Sequence, residues 1–340
     1  MLSISSYPSI KLYNNYNKIG STSVVKAFTG TDVSDLITNG DKALNENKYE
    51  EALKAYTQAN NQDPQNNSIY KKLGKTYFHL KNYSESEKHF KTYLENTPND
   101  AECWLDIGET QRMAGYYQRA AESFEQASKL DSSNDLARRK LLETKNNMLS
   151  IFSPERAKKE KDAYATKNLN DALQMTVRYM TPEYMKSLEN VKVMFGETAS
   201  MGGTSNIAQY ENHKNTITVS NSYIYASPQV IAAYLTHETV HAKDADAYTS
   251  VYEEQDAYEI ATEFWINNAN GIKDPEMDYA ADLYKKSPAT LRKRVEEIYT
   301  LRDPSIAKTS PNHPPTKLFN RSSSKLSAAT QSIKQYDVIA

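Results

Sequence analysis

Two histidines and a glutamate at fixed spacing carry the chemistry open to this sequence. They stand in Ala233-Tyr234-Leu235-Thr236-His237-Glu238-Thr239-Val240-His241-Ala242. Residues four apart on an α-helix lie about 40° from each other round the axis, one turn along. Both imidazoles of an H-E-x-x-H run can therefore reach one ion at about 2.0–2.1 Å, the distance at which histidine holds zinc. Glu238 lies about 100° round from His237. That places it beside such an ion, where it can hold a water rather than ligate.

The flanking sequence reads as the helix this pair needs. Ile231, Ala232, Leu235 and Val240 form an apolar stripe at helical spacing. Ser227-Pro228 supplies a capping residue followed by proline at the first helical position. A catalytic zinc also needs a third protein ligand and one open position. A histidine six residues beyond His241 would complete a metzincin pattern, but Ala247 stands there. Asp244 and Asp246 are near, at neither that spacing nor an obvious return geometry.

Acidic residues on the next helical stretch are the other source of a ligand. In Val251–Trp265, Glu254 shares an inward stripe with Ala257, Ala261 and Trp265. Glu253 lies on the neighbouring stripe with Ala257, Ile260 and Phe264. Glu254 is the first choice of third ligand and Glu253 the reserve. The run Glu254-Gln255-Asp256-Ala257-Tyr258 after H-E-x-x-H resembles the gluzincin-like zinc metallopeptidases. The E-x-x-x-D pattern of several such families is matched from neither glutamate. The resemblance implies an α+β zincin-like domain that hydrolyses peptide bonds. Zinc would sit on His237, His241 and Glu254. Glu238 would take the proton of the attacking water and pass it to the leaving amine. Asp256 is expected to orient a histidine through its free ring N–H. Asn312-His313-Pro314-Pro315-Thr316, followed by Arg321, resembles a His-Pro segment of prenyl-protease-like gluzincins. There His313 is a candidate transition-state donor, and a proline-rich linker is the plainer reading.

The intervening chain alternates in type. Ser153-Pro154-Glu155 starts a helix whose charged run, Arg156 to Asp162, would be a solvated face linking two domains. Leu173, Val177, Tyr179 and Met180 give an amphipathic pattern that Thr181-Pro182 breaks, and a short helix runs from Pro182 to Leu188. Val191 to Phe195 alternates like a strand and stops at Gly196, and Gly202-Gly203 marks a turn. Ile207 to Tyr210 and Thr216 to Ser220 flank a polar connection, a hairpin pattern in which His213 is a solvated loop residue. Helix, strands, hairpin, then the H-E-x-x-H helix is the order of the zincin fold. There the strand leading to the active helix lies along the cleft and can pair with an extended substrate. A last helix is expected over about Pro275–Leu301.

Ahead of all this the sequence repeats. Gly40, Gly74 and Gly108 stand 34 apart, as do Tyr56, Phe90 and Phe124, and Ala52, Ser86 and Ala120. Pro64 and Pro98 keep the same step, with Ser132 in the third copy. Trp104, Ile107, Gly108, Gly115, Tyr116, Ala120, Phe124 and Ala127 make the third copy the most regular. This period, with small residues at helix crossings and an aromatic in the second helix, resembles the tetratricopeptide repeat. The resemblance implies an α-solenoid of three copies over about residues 33–134, closed by a solvating helix over Asn134–Ser150, with a concave surface for a protein or peptide. Ile37 and Asp41 occupy first-repeat places where carboxylate-gripping arrays use Lys and Asn, so no such partner is expected. A spacer or dimerisation module is the plainer alternative.

Composition frames these readings. The chain has 340 residues, 39% hydrophobic and 25% charged, with net charge −2. Those values fit a globular protein of two domains plus tails and give no bulk electrostatic case for nucleic acid or anionic membrane. Cys103 is the single cysteine, so no internal disulfide forms and a reducing, cytoplasmic setting is expected. Met1 to Pro8 lacks a basic stretch followed by an apolar run, so no signal peptide is expected. Packing accounts for the 25 tyrosines. The expected architecture is mostly α with a small β-sheet: a flexible leader (1–32), the repeat domain (33–150), a zincin-like domain (151–302) and a disordered tail (303–340). The alternative function is a non-catalytic repeat adaptor with a structural or inactive zincin domain.

Overall fold

Three tight turns set the spacing of the N-terminal helices. Asn47, Lys81 and Gly115 each take a left-handed backbone, with φ of 59°, 60° and 84°. Each closes a helical hairpin: α1 (Val33–Asn45) with α2 (Tyr49–Gln62), α3 (Asn67–His79) with α4 (Tyr83–Asn96), and α5 (Ala101–Met113) with α6 (Tyr117–Leu130). Only glycine takes that backbone freely, so the third turn alone is conspicuous in the sequence. The structure, a computed structural model, describes residues 32–201, 204–243, 250–302 and 338–339. The chain forms two compact units, Met1–Ile69 and Tyr70–Ala340.

In the first unit α1 and α2 pack with Gly40 against the Tyr56 ring, and the Tyr56 hydroxyl donates to Asp41 Oδ1 at 2.6 Å. The second unit repeats the device. A Cβ added at Gly74 or Gly108 would lie 2.6 Å from Cδ1 of Phe90 or Phe124. The missing side chain lets each aromatic ring lie against the backbone of the preceding helix. Asp100 and Asn134, 34 apart, cap the helices that follow, accepting from Cys103 N at 3.0 Å and Ala137 N at 3.1 Å.

α7 (Asp135–Phe152) packs on α6 on one side and on α8 (Pro154–Tyr179) on the other. It therefore leads from the repeats into the rest of the unit rather than ending them in solvent. After α9 (Pro182–Leu188) come β1 (Lys192–Gly196), a minor antiparallel pair, β2 (Ser200–Met201) and β3 (Thr204–Ser205), and then β4 (Ala208–Glu211) and β5 (Thr216–Ser220). The expected hairpin is β4–β5, joined by a 3₁₀ turn carrying the exposed His213. β5 also pairs in parallel with β1, and β1 with β6 (Val338–Ile339), so the main sheet runs β4-β5-β1-β6. Leu169, Leu173 and Val177 of α8 and Val193, Ile217 and Val219 of the sheet bury together with α10 (Pro228–Lys243).

α11 (Val251–Asn268), α12 (Pro275–Lys286) and α13 (Pro288–Arg302) complete the unit. The single last helix expected over Pro275–Leu301 is thus two helices. Ser287 is extended, at φ −172° and ψ 151°, because the Pro288 ring clashes with an α-backbone in the residue before it. No helix among the described residues is long and apolar enough to cross a membrane. Residues 1–31 of the leader, the Gly202-Gly203 turn, Asp244, Asp246, Ala247 and most of the tail, His313 included, lie outside the described residues.

Candidate metal centre

α10 is buried on more than the one stripe its sequence suggests. Ile231 and Leu235 are joined in the interior by Thr236 and Thr239. Their hydroxyls are satisfied locally, donating to Ala232 O at 2.7 Å and Leu235 O at 2.6 Å. The Ser227 carbonyl accepts from the N–H groups of Val230 and Ile231, at 3.0 and 3.2 Å, as a helix-capping residue does. α11 lies against α10. Ser250 caps it, its Oγ accepting from Glu253 N at 3.1 Å. Glu253 and Glu254 fall in its first turn, where the helix dipole favours carboxylates.

These two helices bring His237, His241 and Glu254 together. The two Nε2 atoms are 3.3 Å apart. Glu254 Oε2 is 3.5 Å from His237 Nε2, and Glu254 Oε1 is 3.6 Å from His241 Nε2. Taking one donor atom from each residue, all three lie within 4.8 Å of one another. Glu254 Oε2 is buried without a hydrogen-bond partner, an expensive state for a carboxylate oxygen unless a cation answers it.

Glu253 stands behind the trio. Its Oε1 is 2.6 Å from His241 Nδ1. A proton on Nδ1 given to that oxygen leaves Nε2 facing His237 and Glu254. This is the orienting role expected of Asp256. Asp256 instead accepts from Arg292 Nη2 at 2.5 Å, and the same guanidinium reaches Glu259 through Nε at 2.5 Å. α13 carries that arginine, and its pull on Asp256 could not be foreseen without knowing that α13 returns alongside α11.

Electrostatics ties the cluster together. Burial pulls His241 towards losing its proton. The carboxylates of Glu254, Glu253 and Glu238 outweigh that and raise its pKa well above the ordinary histidine value. Burial pushes Glu254 up, and the facing His241 and His237, with the Tyr299 hydroxyl, more than reverse it and hold the carboxyl below the usual range.

Glu238 is 8% exposed, and its Oε2 accepts from Tyr210 N on β4 at 2.8 Å. β4 is an outer strand of the main sheet, so a sheet-edge N–H sets the angle of this carboxylate. Tyr258 and Tyr299 also belong to the site. The Tyr258 ring meets His237 edge-on, centroids 4.7 Å apart, and lies 6.5 Å from the Tyr299 ring. Both read as generic packing tyrosines in the sequence, and only the return of α13 brings Tyr299 near.

Residues 43–105 match the tetratricopeptide repeat family. Three solved structures are similar over about a third of the chain. The first repeat domain of Spaghetti (RPAP3), bound to the HSP90 peptide SRMEEVD, is 21% identical, covering 35% of this chain and 94% of that one at a TM-score of 0.34. The second repeat domain of human RPAP3, in complex with the HSP70 peptide SGPTIEEVD, is 22% identical, with coverage of 33% and 94% and a TM-score of 0.32. MamA from Desulfovibrio magneticus RS-1 is 15% identical, with coverage of 38% and 73% and a TM-score of 0.35. No curated protein matches the chain significantly. The N-terminal helical region thus contains tetratricopeptide repeats.

Proposed function

We propose that the chain is a zinc-dependent peptidase whose repeats recruit a protein substrate or partner. One observation carries the reading: the two Nε2 atoms are 3.3 Å apart, and each meets an oxygen of the Glu254 carboxylate, Oε2 at 3.5 Å from His237 and Oε1 at 3.6 Å from His241. The edge of a tetrahedron is about 1.63 times its centre-to-corner length, so bonds of about 2.0–2.2 Å need edges of about 3.3–3.6 Å. His237, His241 and Glu254 would hold the ion. A zinc ion there would supply Lewis acidity, polarising a peptide carbonyl and lowering the pKa of a water towards about 7. Glu238, held by the Tyr210 N–H, would accept a proton from that water and deliver it to the departing amine nitrogen. Glu253 would keep the His241 ring turned to the centre.

The test uses the purified full chain, with metal analysis and casein cleavage for wild type and Glu238→Gln. The expected result is one zinc per chain in both proteins, with cleavage at least about 10²-fold slower in the variant. Equal cleavage by both would remove Glu238 from the reaction. The repeat match itself favours a second reading, an adaptor without catalysis. Zinc-loaded protein that cleaves nothing while residues 33–150 alone capture the partner would select it.

A further inference from the structure

We propose that Asp135, at the exit of the repeat array, is a positioning residue for the metal site and acts through the N-terminus of α10. The proposal rests on the reading of His237, His241 and Glu254 as zinc ligands. Asp135 opens α7 and is 4% exposed. Its Oδ1 accepts from Ser227 N at 3.0 Å and from Ser227 Oγ. Ser227 is the capping residue of the helix that bears both histidines. The carboxylate therefore sits at the positive end of the α10 dipole and fixes where that helix begins. Arg138 braces it, donating from Nη2 to Asp135 Oδ1 at 2.8 Å and to Tyr225 O at 2.7 Å, and from Nη1 to the Tyr164 hydroxyl at 2.9 Å.

The same short loop is tied to α10 a second time. Ser133 O accepts from Lys273 N at 2.8 Å, and Lys273 Nζ donates to Asp131 Oδ2 at 2.9 Å. Next to Lys273, Asp274 accepts from the Tyr234 hydroxyl at 3.0 Å. Tyr234 stands one turn before His237. Residues 131–135 thus hold α10 at its cap, Ser227, and again near its middle.

Geometry makes this hold consequential. Ser227 is ten residues before His237, about 15 Å along the axis. Metal–ligand distances tolerate about 0.2 Å, so a tilt of about one degree about the Ser227 end exhausts that tolerance. A contact that merely joined two halves of the unit could lie anywhere on their surfaces. This one lies on the cap of the ligand helix. It also faces the last repeat through α7, which packs on α6. Coupling of this kind is reciprocal: what zinc does to the array, a ligand in the array does to zinc.

The experiment compares full-length wild type with Asp135→Asn, using zinc alone as the probe. Zinc affinity is measured by competition well below the melting temperature, and amide hydrogen exchange with and without metal. In the metal-free variant exchange should rise across residues 227–243. Its zinc affinity should fall about tenfold, the low end for groups that orient ligands. In wild type, zinc should slow exchange in α7 as well as in α10 and α11, and Asp135→Asn should lose the α7 effect. A lower melting temperature with zinc affinity within twofold of wild type and unchanged exchange in α10 would reduce Asp135 to a structural contact and overturn the proposal. Wild type that takes up no zinc refutes the metal reading separately, and the metal-free exchange still decides the role of Asp135. Should Asp135→Asn not fold, Ser227→Ala keeps the backbone bond, removes the hydroxyl and should weaken zinc about threefold.

Discussion

Glu253 and Glu254 are adjacent, both acidic and both buried, yet their geometry assigns them different work, and replacing each by glutamine separates the two. Glu254 presents both oxygens to the Nε2 atoms of the two histidines, at 3.5 and 3.6 Å. Glu253 meets His241 on the opposite ring nitrogen, at 2.6 Å. Glu254→Gln would remove a charged donor from the ion itself. Structural zinc sites gain about 10–16 kcal/mol from four donors, so one donor represents about 2.5–4 kcal/mol, or about 10²- to 10³-fold in affinity. Glu253→Gln would leave three donors and lose only the orientation and basicity of one, about 10- to 100-fold. The assay is zinc competition on the full chain, with cobalt substitution to read coordination from the visible spectrum. Glu253→Gln should keep the spectrum of a tetrahedral site, while Glu254→Gln should alter it. Because both act on one ion, the double variant should fall short of the sum of the two effects. A larger loss for Glu253→Gln than for Glu254→Gln would refute the assignment and make Glu253 the ligand.

Proton uptake gives an independent handle. The facing carboxylates raise His241 in the metal-free protein, so its contribution to stability is complete below the unfolded value of about 6.5 and is lost as pH rises through the raised folded value. The melting temperature of metal-free wild type should therefore fall between about pH 6 and pH 10 more steeply than that of His241→Gln, and zinc uptake near neutral pH should release a proton, read as a binding heat that differs between buffers of unlike ionisation enthalpy. In the repeats, Gly108→Ala would put a Cβ 2.6 Å from the Phe124 ring. Overpacking of about 1–3 kcal/mol should exceed the helix-propensity gain of about 1 kcal/mol, and chemical denaturation should show a net loss.

The parts of the molecule that follow a period were open to reading from the sequence, and those made by return of the chain were not. Gly74 with Phe90 and Gly108 with Phe124 announce the same crossing at a fixed step, so the repeat hairpins could be placed before any coordinates. His237 and His241 need only one helix to converge, and Glu254 needs one more helix next in sequence. Asp256 misled because its partner, Arg292, lies on α13, 36 residues away. Glu253 reads in the sequence as the reserve ligand and not as the group behind Nδ1, because which of two neighbouring carboxylates meets that nitrogen depends on how α11 is rotated against α10. The break at Ser287-Pro288 is legible in the sequence, because the residue before a proline is pushed out of the α region. The apolar pattern on either side suggested one helix, while the proline alone settled two.

Charge explains why this pocket suits a divalent cation. α11 buries Glu253, Glu254, Asp256 and Glu259, at 3, 6, 3 and 7% exposure. Taking a carboxylate out of water costs several kcal/mol unless a counter-charge and hydrogen bonds answer it. Arg292 answers Asp256 through Nη2 and Glu259 through Nε, each at 2.5 Å, two of the donors a guanidinium offers. Glu253 and Glu254 face the other way, and Glu238 joins them from α10. Three buried carboxylates there meet two imidazoles. Protonated imidazoles can offset the charge only by putting a proton on Nε2, where the two nitrogens already stand 3.3 Å apart, and like charges at that distance repel. A single doubly charged ion between them would remove that repulsion, leave Nδ1–H of His241 for Glu253, and give the Glu254 Oε2 atom its partner. Arg292 answers two of the four acids that α11 buries, and a bound metal would answer the others.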